Sequence, residues 1–307
     1  MAQVFVTRRL PGSATDRLAA AGHEVVIHPG ALPPTADELA AGLATAEGLL
    51  CLLTERIDAA MIDAAPRLRA IANYAVGSDN IDVAAAAARG IPVGVTPGVL
   101  TDATADLTMA LLLSAARRLP EAQRAVTGGA WRTWEPRGWL GLELCGARLA
   151  VVGFGRIGQA VAARAAAFGM EVEPVRRDDD LHAALARADV VTLHCPLTPS
   201  TRHLIDGRAL AAMKPAAILV NTARGGIVDQ VALGAALRDG VIGAAALYVT
   251  DPEPPPPGDP LLNAPNLIVL PHIGSATVAA REHMADMAVD NLLAALAGDP
   301  MPHPAPG

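Results

Sequence analysis

Very little of this sequence is aromatic: three Trp, two Tyr and three Phe, 3% of 307 residues. Against that background one cluster stands out, Trp131, Trp134 and Trp139. The three cysteines, Cys51, Cys145 and Cys195, lie far apart, form no CxxC pair and are odd in number. That excludes a disulfide or zinc framework and points to a reduced, cytoplasmic chain with no metal site. No apolar run approaches the roughly 18 residues a membrane span needs. There is no basic stretch either; the net charge is −7 and the pI about 5.6. Neither nucleic acid nor an anionic membrane surface is therefore an expected partner. The opening MAQVFVTRRL carries its basic residues after its apolar stretch, the reverse of a secretory signal. What the chain does have is 52% hydrophobic and 18% charged residues, enough for sizeable cores. Its length suits about two domains of roughly 150 residues each.

Short apolar runs alternate with helical patterns through the first hundred residues. QVFVT, EVVIHP, GLLCLL, RAIANYAV and IPVGV read as strands; PGSATDRLAAAG, PTADELAAGLA and NIDVAAAAARG read as helices, the last stopped by Gly90. Such alternation implies a parallel sheet covered on both faces, an α/β fold. TDATADLTMALLLSAARRL reads as one long helix over 101–118 that bridges two domains. After the tryptophan segment the alternation restarts, with ARLAVVG, MEVEPV, ADVVTLHC, AAILVNTA, GAAALYVT and NLIVLP as strands. The final helix places Met284, Met287, Ala288, Leu292 and Ala295 on one face, which predicts a return to the first domain and a discontinuous chain path. PEPPPPGDP, at 252–260, can only be a stiff surface loop.

Two groups of residues carry chemistry. GFGRIG at 153–158 follows the strand LAVV and opens a helix. Gly153, Gly155 and Gly158 in that context serve the tight turn, the approach of a pyrophosphate and helix-to-strand packing, with the helix N-terminus facing the anion. The next strand ends in Arg176 and Arg177, where an NAD site offers a carboxylate to the ribose 2′-OH. Arginines suit a 2′-phosphate, so NADP(H) is the preferred cofactor, with NAD(H) possible. Asp178, Asp179 and Asp180 follow and cap the next helix. Further on, Arg224, Glu253 and His272 each lie just past a strand, at the carboxyl ends where parallel sheets bind ligands.

Taken together the chain resembles the D-2-hydroxyacid dehydrogenases, and within them the glyoxylate/hydroxypyruvate reductases. NYAVGSDNID, VLTDATADLTMALLLSAARR, VVGFGRIGQAVAARAAAFGM, LHCPLTPSTRHLI, NTARGGIVD and PHIGSAT carry the resemblance over nearly the whole length. It implies two Rossmann-like or flavodoxin-like domains: a substrate domain over 1–98 and 275–307, and a nucleotide-binding domain over 99–274 inserted into it. It further implies that Arg224 holds the carboxylate and polarises the ketone of a 2-oxo acid, a task a guanidinium fork suits. Val76 and Gly77 would clamp the same carboxylate through their N–H groups, with Ser275 also touching substrate. His272 would protonate the developing alkoxide, and Glu253 would orient its ring and favour the imidazolium. Thr104, Arg156, Ile157, Cys195, Pro196, Thr201, Thr222, Ala223, Tyr248, His272 and Gly274 would contact the cofactor. A homodimer is usual in the family, with helix 101–118 and the tryptophans at its interface and Trp139 reaching the neighbouring substrate pocket.

Three departures stand against this likeness. The segment after Arg177 is about a dozen residues shorter than in relatives, which predicts a more open adenosine end. Pro174 removes a ladder donor from its strand. Leu247-Tyr248-Val249 places a tyrosine where the family carries an aspartate beside the nicotinamide. The tyrosine keeps open a weakly active relative, and the shared fold a cofactor-sensing binding protein. A formate or phosphite dehydrogenase is a further alternative, the formate branch disfavoured by Glu253.

Overall fold

The computed structural model describes residues 1–306; Gly307, the last residue assigned to the substrate domain, lies outside the described residues. The chain divides into two compact units, one of Met1–Leu100 with Ser275–Gly307 and one of Thr101–Gly274.

The first unit opens with β1 (Gln3–Val6), α1 (Asp16–Ala20), β2 (Glu24–Ile27), α2 (Ala36–Leu43) and β3 (Gly48–Cys51). It continues through α3 (Ala59–Asp63), β4 (Ala70–Asn73), α4 (Val83–Ala88) and β5 (Val93–Gly94). The second unit holds α5 (Thr101–Ala116), α6 (Leu119–Thr127), β6 (Arg148–Val152), α7 (Arg156–Ala167) and β7 (Glu171–Val175). Then come α8 (Leu181–Arg187), β8 (Val190–Leu193), α9 (Gly207–Ala212), β9 (Ile218–Asn221), α10 (Gln230–Arg238), β10 (Ala244–Leu247) and β11 (Leu267–Val269). The chain returns to the first unit in α11 (Val278–Ala297).

Both sheets are parallel throughout, and both are buried on two faces. In the first unit the strand order is β2-β1-β3-β4-β5. Successive side chains of a strand point to opposite faces. Val4, Val6, Leu50, Ala70 and Ala72 accordingly pack with Leu18 of α1 and with Met284, Ala288, Val289 and Leu292 of α11. Phe5, Leu49, Cys51 and Ile71 pack the other way, on Leu39, Leu43, Ile62 and Ala86 of α2, α3 and α4. Each such large side chain taken fully out of water contributes about 1.5–3 kcal/mol. Residues 303–305 lie along β5, with the Val95 N–H donating to His303 at 2.9 Å and the Ala305 N–H to Val93 at 2.7 Å. Buried Asn291 bonds both segments, and a Cβ on Gly94 would come within 2.6 Å of its amide, so glycine is required there.

In the second unit the order is β11-β10-β9-β8-β6-β7. The chain leaves β6 for β7 on one side and then crosses to β8 on the other, so the sheet reverses direction at the end of β6. That is where such sheets receive ligands. Leu149, Val151, Ile218, Val220, Ala244 and Ala246 face α5 and α7; Ala150, Val152, Val191, Leu193, Leu219 and Leu247 face α8, α9 and α10.

Three local expectations are corrected. The helix expected over 101–118 ends at Ala116, and a further helix, α6, which was not expected, starts beyond it at Leu119 after Arg118, whose φ is +52. Pro120 has no N–H to offer the Ala116 carbonyl, and the Leu142 N–H takes that acceptor at 2.8 Å instead. The short helix α3, started by Asp58 accepting from the Met61 N–H, was not expected at all. Pro174 removes nothing from the ladder. The Glu171 N–H donates to Ala147 and the Val175 carbonyl accepts from Gly153, so odd positions of β7 face β6 and the nitrogen of Pro174 faces the open edge.

Among the described residues no helix is long and apolar enough to cross a membrane.

Candidate active site

At the end of β6 the three glycines have three different reasons to be glycine. Gly153 has φ +90, and a Cβ there would come within 2.5 Å of the Cys195 nitrogen. Gly158 lies so near the turn that its Cβ would meet the Gly153 oxygen at 2.3 Å. Gly155, the residue before α7, is different: its Cβ would meet no atom within 4 Å. The first and third glycines are demanded by the protein's own backbone. The second leaves open space in front of a helix N-terminus, a cradle that suits the diphosphate of a dinucleotide. Arg156 is exposed there and Ile157 half-buried.

Around this cradle stand the residues that follow β7, β8 and β9. The Arg176 guanidinium lies 5.6 Å from the Phe154 ring centroid, stacked beside the glycine turn, and Arg177 is exposed next to it. The Asp179 carboxylate accepts from the Arg176 N–H at 2.7 Å, and that of Asp180 caps α8 through the Ala183 N–H at 3.0 Å. After β8, Thr201 Oγ1 donates to the Pro196 carbonyl at 2.6 Å and accepts from the Thr198 N–H at 2.8 Å, which closes the loop carrying half-buried Cys195. Burial raises the Cys195 thiol pKa. After β9, Thr222 is buried and Ala223 half-buried.

The candidate acid stands at the end of β11. His272 has a left-handed backbone, φ +37, between Pro271 and Ile273. A β-carbon in that region is strained by about 1–3 kcal/mol, which the surrounding bonds must offset. The His272 N–H donates to the Tyr248 carbonyl at 2.8 Å, so the turn is fixed to the end of β10. Its Nδ1 meets Glu253 Oε1 at 2.5 Å, and the two side chains are 23% and 32% exposed. With Nδ1 committed to the carboxylate, Nε2 is the atom left to exchange a proton with a ligand. Glu253 Oε2 in turn accepts from the Thr250 N–H at 3.4 Å. Arg224 follows β9 in extended backbone; Asn221 Nδ2 donates to its carbonyl at 2.9 Å, and its own Nη1 donates to the Ala223 carbonyl at 2.9 Å.

Residues 109–274 match the family model for the NAD binding domain of D-isomer specific 2-hydroxyacid dehydrogenases. A glyoxylate reductase of Korarchaeum cryptofilum is 44% identical over 98% of this chain and 95% of its own length. The chain belongs to the D-2-hydroxyacid dehydrogenase family. Among solved structures, the TT0316 protein of Thermus thermophilus matches with a TM-score of 0.94 and 51% identity, covering 98% of this chain and 99% of that one. An NADPH-dependent glyoxylate/hydroxypyruvate reductase of Sinorhizobium meliloti, in complex with NADP and malonate, matches at 0.84 and 33% identity over 99% and 96%.

In this dehydrogenase Tyr248 continues the alternation of β10 and turns to the α5 face with Ala244 and Ala246. It is buried, and a Cβ on Gly274 would lie 2.9 Å from its hydroxyl and 3.2 Å from Thr104 Oγ1. Desolvation pushes the phenol up to about 12, while the charges of Arg224 and Glu253 act on it in opposite directions. Arg224, Tyr248, Glu253 and His272 are thus gathered at adjacent strand ends. Val76, Gly77 and Ser275 belong to the first unit, Val76 exposed and the other two half-buried. Trp139 stands in the segment between α6 and β6, half-buried, with φ +49.

One residue escaped the sequence reading. His194, directly before Cys195, has its ring between Thr192 Oγ1 at 2.9 Å and Thr222 Oγ1 at 3.5 Å. Thr222 meets Thr108 at 2.9 Å, and Thr108 donates to the Thr104 carbonyl at 2.8 Å. A continuous polar chain therefore links Thr104, Thr222 and the loop of Cys195. Burial pushes the His194 imidazole down to about 4. The sequence signal was its place in LHCPLT, beside residues already singled out.

Proposed function

We propose that the protein reduces small 2-oxo acids, glyoxylate and hydroxypyruvate foremost, to 2-hydroxy acids, with NADPH preferred over NADH. The observation that carries this reading is the His272–Glu253 pair, closed at 2.5 Å on one ring nitrogen with the other nitrogen left for a substrate oxygen. A bound nicotinamide supplies the hydride. The guanidinium of Arg224 binds the planar carboxylate and draws electron density from the neighbouring ketone. Nε2 of His272 delivers a proton to the oxygen that becomes the alcohol, an effect typically worth about 10²–10⁴-fold in rate. Glu253 holds the ring and balances the charge the imidazolium carries. The Val76 and Gly77 N–H groups are proposed as further donors to the carboxylate. On this reading 1–98 and 275–307 form the substrate domain and 99–274 the nucleotide-binding domain.

The cofactor preference rests on the end of β7. Arg176 stacks beside the phosphate cradle, whereas the carboxylates of Asp179 and Asp180 are engaged by backbone N–H groups. The Sinorhizobium meliloti relative is described as NADPH-dependent. A homodimer belongs to the same reading. Leu119, Val126, Trp131, Trp134 and Leu140 are exposed, a run of apolar surface that a second copy would cover, and a dimer mass in sedimentation at micromolar concentration is expected. A cytoplasmic location suits three free cysteines.

The test is cofactor oxidation with glyoxylate, hydroxypyruvate and pyruvate, each with NADPH and NADH, beside cofactor reduction with formate and NADP+ or NAD+. The first two should be turned over best, with NADPH, and Arg176→Ala with Arg177→Ala should weaken NADPH far more than NADH. Equal losses for both cofactors would refute the preference. No turnover of any 2-oxo acid would refute the function.

A further inference from the structure

The turn between β4 and α4 is shaped by side chains of its own unit. The Ala75 carbonyl accepts from the Thr96 N–H at 2.8 Å, and the Ser78 carbonyl from the Ile81 N–H at 2.9 Å. Between them, Asn73 Nδ2 donates to the Gly77 carbonyl at 2.8 Å. In a trans peptide the N–H points away from the preceding carbonyl. Tying the Ala75 oxygen to the fold therefore turns the Val76 N–H outward. The N–H groups of Val76 and Gly77 donate to no acceptor among the described residues.

What holds Asn73 is itself held. Asn73 is fully buried at the end of β4, and its Nδ2 also donates to Asn80 Oδ1 at 2.9 Å. Asn80 Nδ2 donates onward to the carbonyls of Leu52 at 2.9 Å and Glu55 at 3.0 Å. The Glu55 carboxylate, buried, accepts from Thr7 Oγ1 at 2.6 Å, the Leu52 N–H at 2.6 Å and Thr54 Oγ1 at 2.5 Å. Residues at the carboxyl ends of β1, β3 and β4 are thus joined in one chain that terminates on the Gly77 oxygen. An aliphatic residue at 73 would deprive the Gly77 carbonyl and Asn80 Oδ1 of this donor. The amide's donors go to the turn and to the residue that braces it.

We infer that Asn73 and Asn80 are positioning residues for the substrate: they keep the Val76–Gly77 turn in the shape that directs its N–H groups at an anionic carboxylate. This rests on the proposed function, and it adds two side chains that touch no reacting atom.

The experiment compares the wild-type protein with Asn80→Ala, whose side chain is half-buried, and Asn73→Ala, with thermal unfolding to confirm folding. Turnover of hydroxypyruvate with NADPH is one arm, and calorimetric binding of oxalate in the presence of NADP is the other. The KM for hydroxypyruvate and the Kd for oxalate should both rise about tenfold, while kcat and the KM for NADPH stay within about twofold, the pattern of lost uniform binding. Unchanged KM and Kd in a folded variant overturn the inference. So does a joint fall of kcat and melting temperature with a rise in the KM for NADPH, which is what a merely structural role gives. If the wild type turns over no 2-oxo acid, the functional reading fails and the oxalate arm still decides. Oxalate that does not bind the wild type at millimolar concentration also overturns the inference.

Discussion

The phenol ring of Tyr248 lies 5.0 Å from the imidazole of His272, centroid to centroid, with the two planes 54° apart. Aromatic pairs at such separations attract, so the ring is a support for the candidate acid as well as a core side chain. Its hydroxyl makes no hydrogen bond among the described residues, and with its pKa near 12 it stays neutral over any assay range. A bulky neutral group thus stands where the family resemblance implies a carboxylate. Tyr248→Phe should leave kcat/KM for hydroxypyruvate within about threefold, because only an unpartnered hydroxyl is lost. Tyr248→Asp should raise kcat/KM yet lower stability by about 2–4 kcal/mol, since a buried ring is exchanged for a smaller charged group. A fall in kcat/KM for Tyr248→Asp would show that the tyrosine serves this enzyme's own chemistry.

The glycines of the cradle separate folding from binding. Gly158→Ala drives a methyl against the Gly153 oxygen, 2.3 Å away, and should destabilise the protein by about 1–3 kcal/mol. Gly155→Ala meets no protein atom within 4 Å and should melt within a degree or two of wild type. It should nonetheless raise the KM for NADPH at least about tenfold, since the methyl enters the space a diphosphate needs. An unchanged cofactor KM in Gly155→Ala would place the diphosphate elsewhere.

His194 sets a pH dependence of stability. Its folded pKa, about 4, lies below the unfolded value near 6.5, so the folded state prefers the neutral ring. The contribution is fully present above about pH 6.5 and is lost as the pH falls through that value towards 4, because the unfolded chain binds the proton first. Its size is at most about 3 kcal/mol. Urea titrations at pH 7.5, 6 and 5 should show stability declining less steeply in His194→Gln than in wild type. Parallel slopes would mean that the ring titrates alike in the folded and unfolded states.

The alternation of the strands made both sheets legible, because a residue pattern buried on two faces, such as Leu149 to Val152, has few other uses. The same alternation, carried one step past β10, tells which face Tyr248 joins. Breaks were harder to read. The helical period runs unbroken from Leu107 to Ser114, and only Pro120, four residues after Ala116, marks where the ladder must change partner. Pro174 looked harmful because strand order is a property of the whole sheet, and nothing near residue 174 says that β7 is an edge. His272 was legible from its place just past a strand, although its left-handed φ was not. The bonds of His194 and Asn73 join residues far apart in the chain, which periodicity does not register.

The path of α11 has a consequence for synthesis. Met284, Ala288, Val289 and Leu292 cover one face of the first sheet, and all of them leave the ribosome after the whole second unit has emerged. At typical elongation rates of about 5–20 residues per second, Val4, Val6, Leu50 and Ala72 wait roughly ten to sixty seconds for their partners. During that interval the nascent chain presents a bare aliphatic sheet face, the kind of surface that holding chaperones bind. The second unit, whose residues are contiguous, is free to close first.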